Sequence, residues 1–190
     1  VPRFMSEYGF QSLPSSAVVE YVNEGNDDLN TDGFGSHQKH PRGTELIQAY
    51  MKRDFPEPRN DQERIYLSQL TQAHGISKAI VAHRSSRPYT MGSLYWQFND
   101  CWPSVSWSSV DYLGQWKALH HAVKHDFDNL LIAATVTHDK LSIQLINDNL
   151  APTTGRLSVT LMQFDGTILI SENFNVTAKA NASSQVAEIF

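Results

Sequence analysis

The chain has 190 residues, of which 41% are hydrophobic and 18% are charged, and its formal net charge is -5. This composition is typical of a folded globular protein that holds one large domain or parts of two. Acidic and basic residues are interspersed without a Lys/Arg-rich run, which argues against a nucleic acid or an anionic membrane as partner. The single cysteine, Cys101, excludes an internal disulfide and a thiolate metal site. No apolar run approaches the roughly 20 residues of a membrane-spanning helix.

The first residues predict a strand, a loop and a helix in succession. Residues 1–8 have the pattern of a short buried strand, which is interrupted by the acidic side chain of Glu7. The sequence LPSS then precedes AVVEYV, as expected for a helix that begins with a serine cap. The next segment, NEGNDDLNTDGFGSHQKHPRG, has the composition of a long surface loop. Loops of that length are often functional.

Two further helices are predicted from TELIQAYMKRDF and NDQERIYLSQLTQAHGISKAIVAHR. In the second helix, Tyr66, Leu70 and Ala73 fall on one face at spacings of four and three residues. Gly75 interrupts this pattern, and a glycine at such a position weakens a helix by about 1 kcal/mol relative to alanine.

After Pro88, the run TMGSLYWQFND predicts a central parallel strand. It is dense in apolar and aromatic residues without polar alternation, as expected of a strand that is covered on both faces. A Trp- and Ser-rich loop, CWPSVSWSSVDYLG, leads to a predicted helix in QWKALHHAVKHDF. Two strand-loop-helix units in succession predict an α/β arrangement with parallel strands.

From about Asn129 the pattern changes to short β-branched runs. These are LLIAATVTHD, KLSIQLIND, RLSVTLMQFD and TILISENFNV, which we interpret as antiparallel strands. Asp165-Gly166 predicts a hairpin turn. An immunoglobulin-like sandwich needs about seven strands over roughly 100 residues, and only about 60 remain here. We therefore expect a chain that is cut at both ends, inside one α/β domain and inside one β-sandwich.

Glu7 is the first candidate for chemistry. A carboxylate at the end of a buried strand loses hydration, so its position requires either a compensating ion pair or a function. The carboxyl ends of parallel strands are where α/β barrels carry their catalytic residues, which favours catalysis.

The eight histidines raise the question of a metal site. His121 and His125 would lie one turn apart on a helix, but HHAVKH lacks the glutamate of the HExxH pattern and a third ligand. We therefore predict neither a metal nor a cofactor. His37 and His40 are expected to be solvated or to line a cleft. The motifs GxSxG, GxGxxG and GKS/T are absent, so serine-hydrolase, dinucleotide and P-loop interpretations have no support.

A cluster of aromatic residues straddles the end of the second predicted strand. Most tryptophan clusters belong to a core. At the mouth of a parallel sheet, beside amide and carboxylate groups, the same residues would form a stacking floor for a sugar ring. The residues are Tyr95, Trp96, Phe98, Trp102 and Trp107, with Gln97, Asn99 and Asp100 beside them.

Two long segments, FMSEYGFQSLPS and MGSLYWQFNDCWPSVSWSSVDYLGQWKALHH, resemble the β-mannosidases of the family 2 glycoside hydrolases. The resemblance runs from Arg3 to about His125, and the strands that follow match the sandwich domain after the barrel in those enzymes. It implies that residues 1–127 are the last two strand-helix units of a (β/α)8 TIM barrel. Residues 128–190 would be part of an immunoglobulin-like β-sandwich.

The resemblance also implies a retaining exo-glycosidase that releases β-D-mannose from non-reducing ends. Glu7, at the end of the seventh strand, would be the nucleophile, and a second carboxylate about 5 to 5.5 Å away would be the acid/base. Trp96, at the end of the eighth strand, would form the floor of the sugar subsite. A non-proline cis peptide bond would follow it. The remaining candidates for substrate binding are Tyr8, Asn99, Asp100 and Trp102.

The acid/base glutamate of the family follows an asparagine on the fourth strand, outside this sequence. Asn23-Glu24 has the same two residues but follows Glu7 in the sequence, whereas the family's acid/base precedes the nucleophile. We therefore interpret Glu24 as a chance match and not as the acid/base, and we expect the chain alone to be inactive. Other activities of the family, such as exo-β-glucosaminidase or β-galactosidase, stay open. A non-catalytic carbohydrate-binding or structural module is the alternative from a different class.

The implied partners are β-mannosides, such as glycan or manno-oligosaccharide ends, and the remainder of the same polypeptide. Nucleic acid and membrane are not expected. Two sequons, Asn175-Val176-Thr177 and Asn181-Ala182-Ser183, would carry glycans only in a eukaryotic secretory protein. The compartment stays open between the periplasm or exterior of a bacterium, which we favour, and the lysosome of a eukaryote.

Overall fold

The computed structural model describes residues 1–189, and the chain divides into two compact units. One unit comprises residues 4–80 and 92–126, and the other comprises residues 1–3, 81–91 and the chain from Phe127 onward. The helices are α1 (Ser16–Val22), α2 (Asp32–Gly35), α3 (Gly43–Asp54), α4 (Asp61–Ser85) and α5 (Ala118–Asp126). The strands are β1 (Leu130–Thr137), β2 (Lys140–Asn147), β3 (Thr153–Met162), β4 (Ile168–Ala178) and β5 (Ala182–Ile189).

The predicted helices form close to their expected bounds, and one helix was missed. The short helix α2 lies within the predicted long loop, and it is capped by Thr31, whose side-chain oxygen accepts a hydrogen bond from the Phe34 amide at 3.1 Å. The buried Phe34 side chain anchors the segment in a core with Val19 and Ile47. A single cap and one aromatic anchor are thus enough to order part of a polar loop.

Helix α4 buries a face that the sequence located only in part. Tyr66 is 61% exposed, whereas Ala73, Ile76 and Ile80 are buried. Gly75 has a packing role, because an added Cβ atom would clash with the ring of Phe10. The glycine allows this ring to pack directly on the helix.

The two predicted parallel strands are present as extended segments that pair locally. Met5 and Ser93 form a parallel bridge, in which the Met5 amide donates to the Gly92 carbonyl and the Leu94 amide donates to the Met5 carbonyl, both at 2.9 Å. The parallel pairing is therefore confirmed. Within this chain only one of the two faces is covered, since Leu94 is 56% exposed. Helices pack on one face only, where Tyr8, Phe10 and Tyr95 meet the core of α4 and α5.

The strands β1 to β5 form two antiparallel sheets, with the orders β1-β2-β5 and β3-β4. The predicted turn is confirmed, since Gly166 has a φ of 91° and its amide donates to the Gln163 carbonyl at 3.0 Å. Strand β5 was missed because three of its first four residues, Ser183, Ser184 and Gln185, are polar. The sheets share a core of Ile143, Leu157 and Ile189.

The same unit includes the last residues of α4. The Arg84 guanidinium donates to the Asp148 carboxylate at 3.0 Å and to the Asp128 carbonyl at 2.8 Å. The hydroxyl of Ser183 donates to the Arg84 carbonyl at 2.7 Å. These bonds tie the end of the helix to the strands of its own unit.

Candidate active site

Glu7 lies at the end of the first paired segment, and its side chain is exposed. The sequence predicted a buried strand around it, whereas in this chain helices cover only the opposite face. Tyr8 points to that covered face, where its hydroxyl is 2.7 Å from the Ser93 hydroxyl. Burial raises the pKa of the Tyr8 phenol above its ordinary value. A buried neighbour thus fixes the backbone from which an exposed carboxylate projects.

Trp96 is placed on the second paired segment, immediately beside the first. Its amide donates to the Tyr8 carbonyl at 2.8 Å, and its side chain is 48% exposed. The bond between Trp96 and Gln97 is cis, as the resemblance implied. Because Tyr8 directly follows Glu7, the structure brings the backbones of Glu7 and Trp96 together.

The close approach of these segments depends on Gly9. An added Cβ atom at this position would lie 2.2 Å from the Trp96 carbonyl oxygen and 3.0 Å from the Trp107 ring. The first distance is shorter than a carbon atom allows and the second is tight, so glycine is required between the two backbones.

Asp100 is a buried residue of the loop that follows Trp96. Its carboxylate accepts hydrogen bonds from the hydroxyls of Ser106 at 2.8 Å and Ser108 at 2.6 Å, and Lys39 lies 3.5 Å away. The side chain is only 1% exposed. This geometry favours a role in holding the loop over direct contact with a ligand. Asn99, in contrast, is exposed.

Trp102 forms an aromatic surface together with His37. The two rings are stacked, with their centroids 4.8 Å apart and an angle of 26° between their planes. The His37 Nδ1–H donates to the Pro103 carbonyl at 2.6 Å, which fixes the orientation of the imidazole. Lys39 lies 6.0 Å from the centroid of the Trp102 ring. Trp102 is 39% exposed, so this aromatic surface faces solvent.

A cavity of about 130 Å³ lies next to Gly9, between the first segment and α3. Its walls include Phe10, Tyr50, Trp107 and His40. The His40 Nδ1 atom accepts a hydrogen bond from the Arg42 amide at 3.1 Å, which leaves Nε2 as the ring donor in the neutral tautomer. His40 therefore lines a small aromatic cavity, one of the two alternatives that the sequence left open.

Two buried polar residues were missed by the sequence reasoning. Gln72 is fully buried on the inner face of α4, between the buried Ser68 and Ile76 at spacings of four residues. A glutamine in the buried stripe of a helix was the signal that could have found it. Lys117 is 1% exposed, and burial lowers its pKa to about 7, although the charges of Asp100 and Asp111 oppose that shift. The position of Lys117 just before α5 gave no such signal.

Within residues 1–189, His, Cys, Asp and Glu side chains do not come together in groups of three or more that could hold a metal ion. None of the helices described is long and apolar enough to cross a membrane.

Known structures establish the class of fold. The model matches a β-D-mannosidase from Dictyoglomus thermophilum with a TM-score of 0.82 and 29% sequence identity, over 98% of this chain and 23% of that one. It also matches an exo-chitosanase from Amycolatopsis orientalis with a TM-score of 0.73 and 18% identity, over 97% of this chain and 23% of that one. At that identity the second match shows the fold alone. The fold of this chain therefore matches part of a β-mannosidase structure.

Sequence comparison also shows similarity to β-mannosidases. Residues 139–190 match the family model of the mannosidase Ig/CBM-like domain. The β-mannosidase of Bos taurus is 36% identical over 155 residues, which are 74% of this chain and 18% of that protein. The similarity to β-mannosidases that the two motifs indicated is confirmed. The chain spans about a fifth of the length of these relatives.

Proposed function

We propose that this chain is part of a retaining exo-β-mannosidase in which Glu7 is the nucleophile. In this proposal the Glu7 carboxylate attacks the anomeric carbon, and a second carboxylate from another part of the protein protonates the leaving oxygen. Water then releases mannose from the covalent intermediate. The proposal makes no use of a metal or a cofactor.

One observation carries the proposal more than any other. The exposed carboxylate of Glu7 and the half-exposed ring of Trp96 project from neighbouring, parallel-paired segments that are joined through the Tyr8 carbonyl. A carboxylate beside an aromatic face, at the ends of parallel segments, is an arrangement suited to a pyranose ring. The similarity to named β-mannosidases supports mannose as the sugar.

The proposed architecture has a barrel part and a sandwich part. Residues 1–127 would supply the last two strand-helix units of a TIM barrel, and residues 128–190 would supply part of an immunoglobulin-like sandwich. The exposed side chain of Leu94 supports the barrel, because it alternates with Tyr95, which packs on the helices, and so lies on the face that other barrel strands would cover. The match of residues 139–190 to a mannosidase Ig/CBM-like domain supports the sandwich.

Within this proposal, Trp96 is the floor of the sugar subsite, and Trp102 and Asn99 lie at its edge. Tyr8 contributes chiefly through its backbone, because its hydroxyl is occupied by Ser93. Asp100 holds the loop through its hydrogen bonds with Ser106 and Ser108. Glucosamine stays open as the sugar, because the groups that read the sugar's 2-hydroxyl would come largely from other strands.

The test is substitution of Glu7 in the full-length protein that contains this chain. Glu7→Gln keeps the size of the side chain but removes the nucleophile, so kcat for an aryl β-mannoside should fall by at least about 10⁴-fold. Glu24→Gln is the matched control, because Glu24 is also exposed but lies on the loop after α1. It should leave kcat unchanged.

A Glu7→Gln variant that keeps most of the wild-type kcat would overturn the proposal and favour the non-catalytic alternative, in which the tryptophans bind a glycan without cleaving it. A panel of aryl β-mannoside, β-galactoside and β-glucosaminide decides the sugar. Preference for the glucosaminide would replace mannose with glucosamine and keep Glu7 as the nucleophile.

A further inference from the structure

The side chain of Gln72, in the middle of α4, joins two backbone segments of the proposed site. Its Nε2 atom donates to the Phe10 carbonyl at 2.8 Å and to the Trp107 carbonyl at 3.1 Å, with the Ser108 carbonyl at 3.3 Å. Its Oε1 atom accepts from the Ser12 hydroxyl at 2.7 Å. The amide is 0% exposed, so water does not compete for these bonds.

The first of these segments continues directly from Glu7. Phe10 follows Glu7 by three residues, and its ring packs on Gly75 of α4 and edge-on against Tyr50, with the ring centroids 5.1 Å apart. The Phe10 carbonyl is held by Gln72. The side chain and the carbonyl of Phe10 therefore both fix the backbone just beyond Glu7 to α4.

The second segment returns from the loop after Trp96. The Trp107 carbonyl accepts one hydrogen bond from Gln72 and a second from the amide of Gln97, at 3.1 Å. Gln97 directly follows Trp96, so a single carbonyl connects Gln72 to the peptide that carries the aromatic floor. A shift of Gln72 would move both the Glu7 segment and the Trp96 segment.

We propose that Gln72 is a positioning residue that sets the spacing and orientation of Glu7 relative to Trp96. This inference rests on the proposed function of Glu7. An amide suits the role because it donates to the carbonyls of both segments and accepts from Ser12 at once, whereas a carboxylate would have no proton to donate and a thioether would do neither. A displacement of about 1 Å at a reacting group can cost about 100-fold in rate.

The test is Gln72→Met in the full-length protein, which keeps the volume of the side chain and removes its hydrogen bonds. We expect kcat for the aryl β-mannoside to fall about 10- to 100-fold while KM changes by less than about threefold, because the misplaced group acts in the transition state. Gln69→Met is the matched control. Gln69 lies one turn earlier on α4. It donates to the Leu13 carbonyl and accepts from the Ala118 amide, each at 3.2 Å, so it bonds the first segment six residues beyond Glu7 and does not bond the Trp107 segment. Both variants should lower Tm, but only Gln72→Met should lower kcat.

A kcat of Gln72→Met within about twofold of the wild type would overturn the inference, as would an equal loss in Gln69→Met. If Gln72→Met does not fold, Ser12→Ala decides, because it removes only the hydroxyl that orients the amide. We expect Ser12→Ala to lower kcat about threefold at unchanged KM, and an unchanged kcat would contradict the proposal. Full activity in Glu7→Gln would instead refute the proposed function itself, so the two failures are distinguishable.

Discussion

At the scale of single residues, the site combines an exposed carboxylate with buried polar groups that hold its surroundings. Asp100 illustrates the division. Its place at the end of the aromatic-rich strand made it a candidate for substrate binding, and in the structure its carboxylate accepts hydrogen bonds from the hydroxyls of Ser106 and Ser108. The sequence places polar residues near a site, whereas only the fold decides which of them reach the ligand.

Lys117 leads to a prediction on stability and pH. Burial lowers the pKa of Lys117 from 10.5 to about 7 in the folded state. Below pH 7 the amine is charged in both the folded and the unfolded state, so the full cost of burying the charge is present. Between about pH 7 and 10.5 the unfolded chain still binds the proton that the folded chain has released, so stability rises with pH.

Lys117→Met should therefore abolish this rise. We expect the Tm of the full-length wild type, measured relative to that of Lys117→Met, to increase between about pH 6.5 and about pH 9.5. Thermal melts at matched ionic strength measure this difference. Over this pH range the free energy of unfolding of the wild type should increase, relative to that of the variant, on the order of a few kcal/mol. A parallel dependence of the two Tm values on pH would show that Lys117 keeps an ordinary pKa.

At the scale of elements, the approach of the two paired segments depends on Gly9. Gly9→Ala should separate the backbones, because the new methyl group would meet the Trp96 carbonyl oxygen at 2.2 Å and a carbonyl cannot rotate away as a side chain can. We expect a loss of about 2 kcal/mol in stability and a fall in kcat of at least about tenfold, measured by chemical unfolding and steady-state kinetics.

Gly35→Ala serves as control, since no atom lies within 4 Å of the added Cβ at that position. It should leave kcat unchanged. A Gly9→Ala variant with wild-type kcat would show that the spacing of the segments tolerates the methyl group.

The elements also show what the sequence could and could not predict. Periodicity located α3, α4 and α5, and Asp165-Gly166 located the β3–β4 turn, because these features depend on local spacing and local turn chemistry. Strand β5 was missed because pairing with β2, not its own composition, makes it a strand. The two long motifs made Glu7 and Trp96 candidates for the site, whereas Gln72 was not a candidate because its proposed role depends on contacts with residues far away in the sequence.

At the scale of the whole molecule, the proposal assigns only one of the two catalytic carboxylates to this chain. Purified residues 1–190 should therefore show no turnover of an aryl β-mannoside, while the full-length protein, assayed beside it, should be active. The expected loss is essentially complete, because protonation of the leaving group requires the missing acid. Detectable turnover by the purified chain, proportional to its concentration, would contradict this assignment.

The most direct measurement of the central claim is a trapping experiment on the full-length protein. A 2-deoxy-2-fluoro-β-mannosyl fluoride slows breakdown of a glycosyl-enzyme, so the labelled peptide can be mapped by mass spectrometry. We predict a mannosyl adduct on Glu7, which would establish the nucleophile, the retaining mechanism and the sugar together. Adducts on another carboxylate, or none on Glu7 with the mannosyl, galactosyl and glucosyl reagents alike, would contradict the assignment of Glu7 as nucleophile.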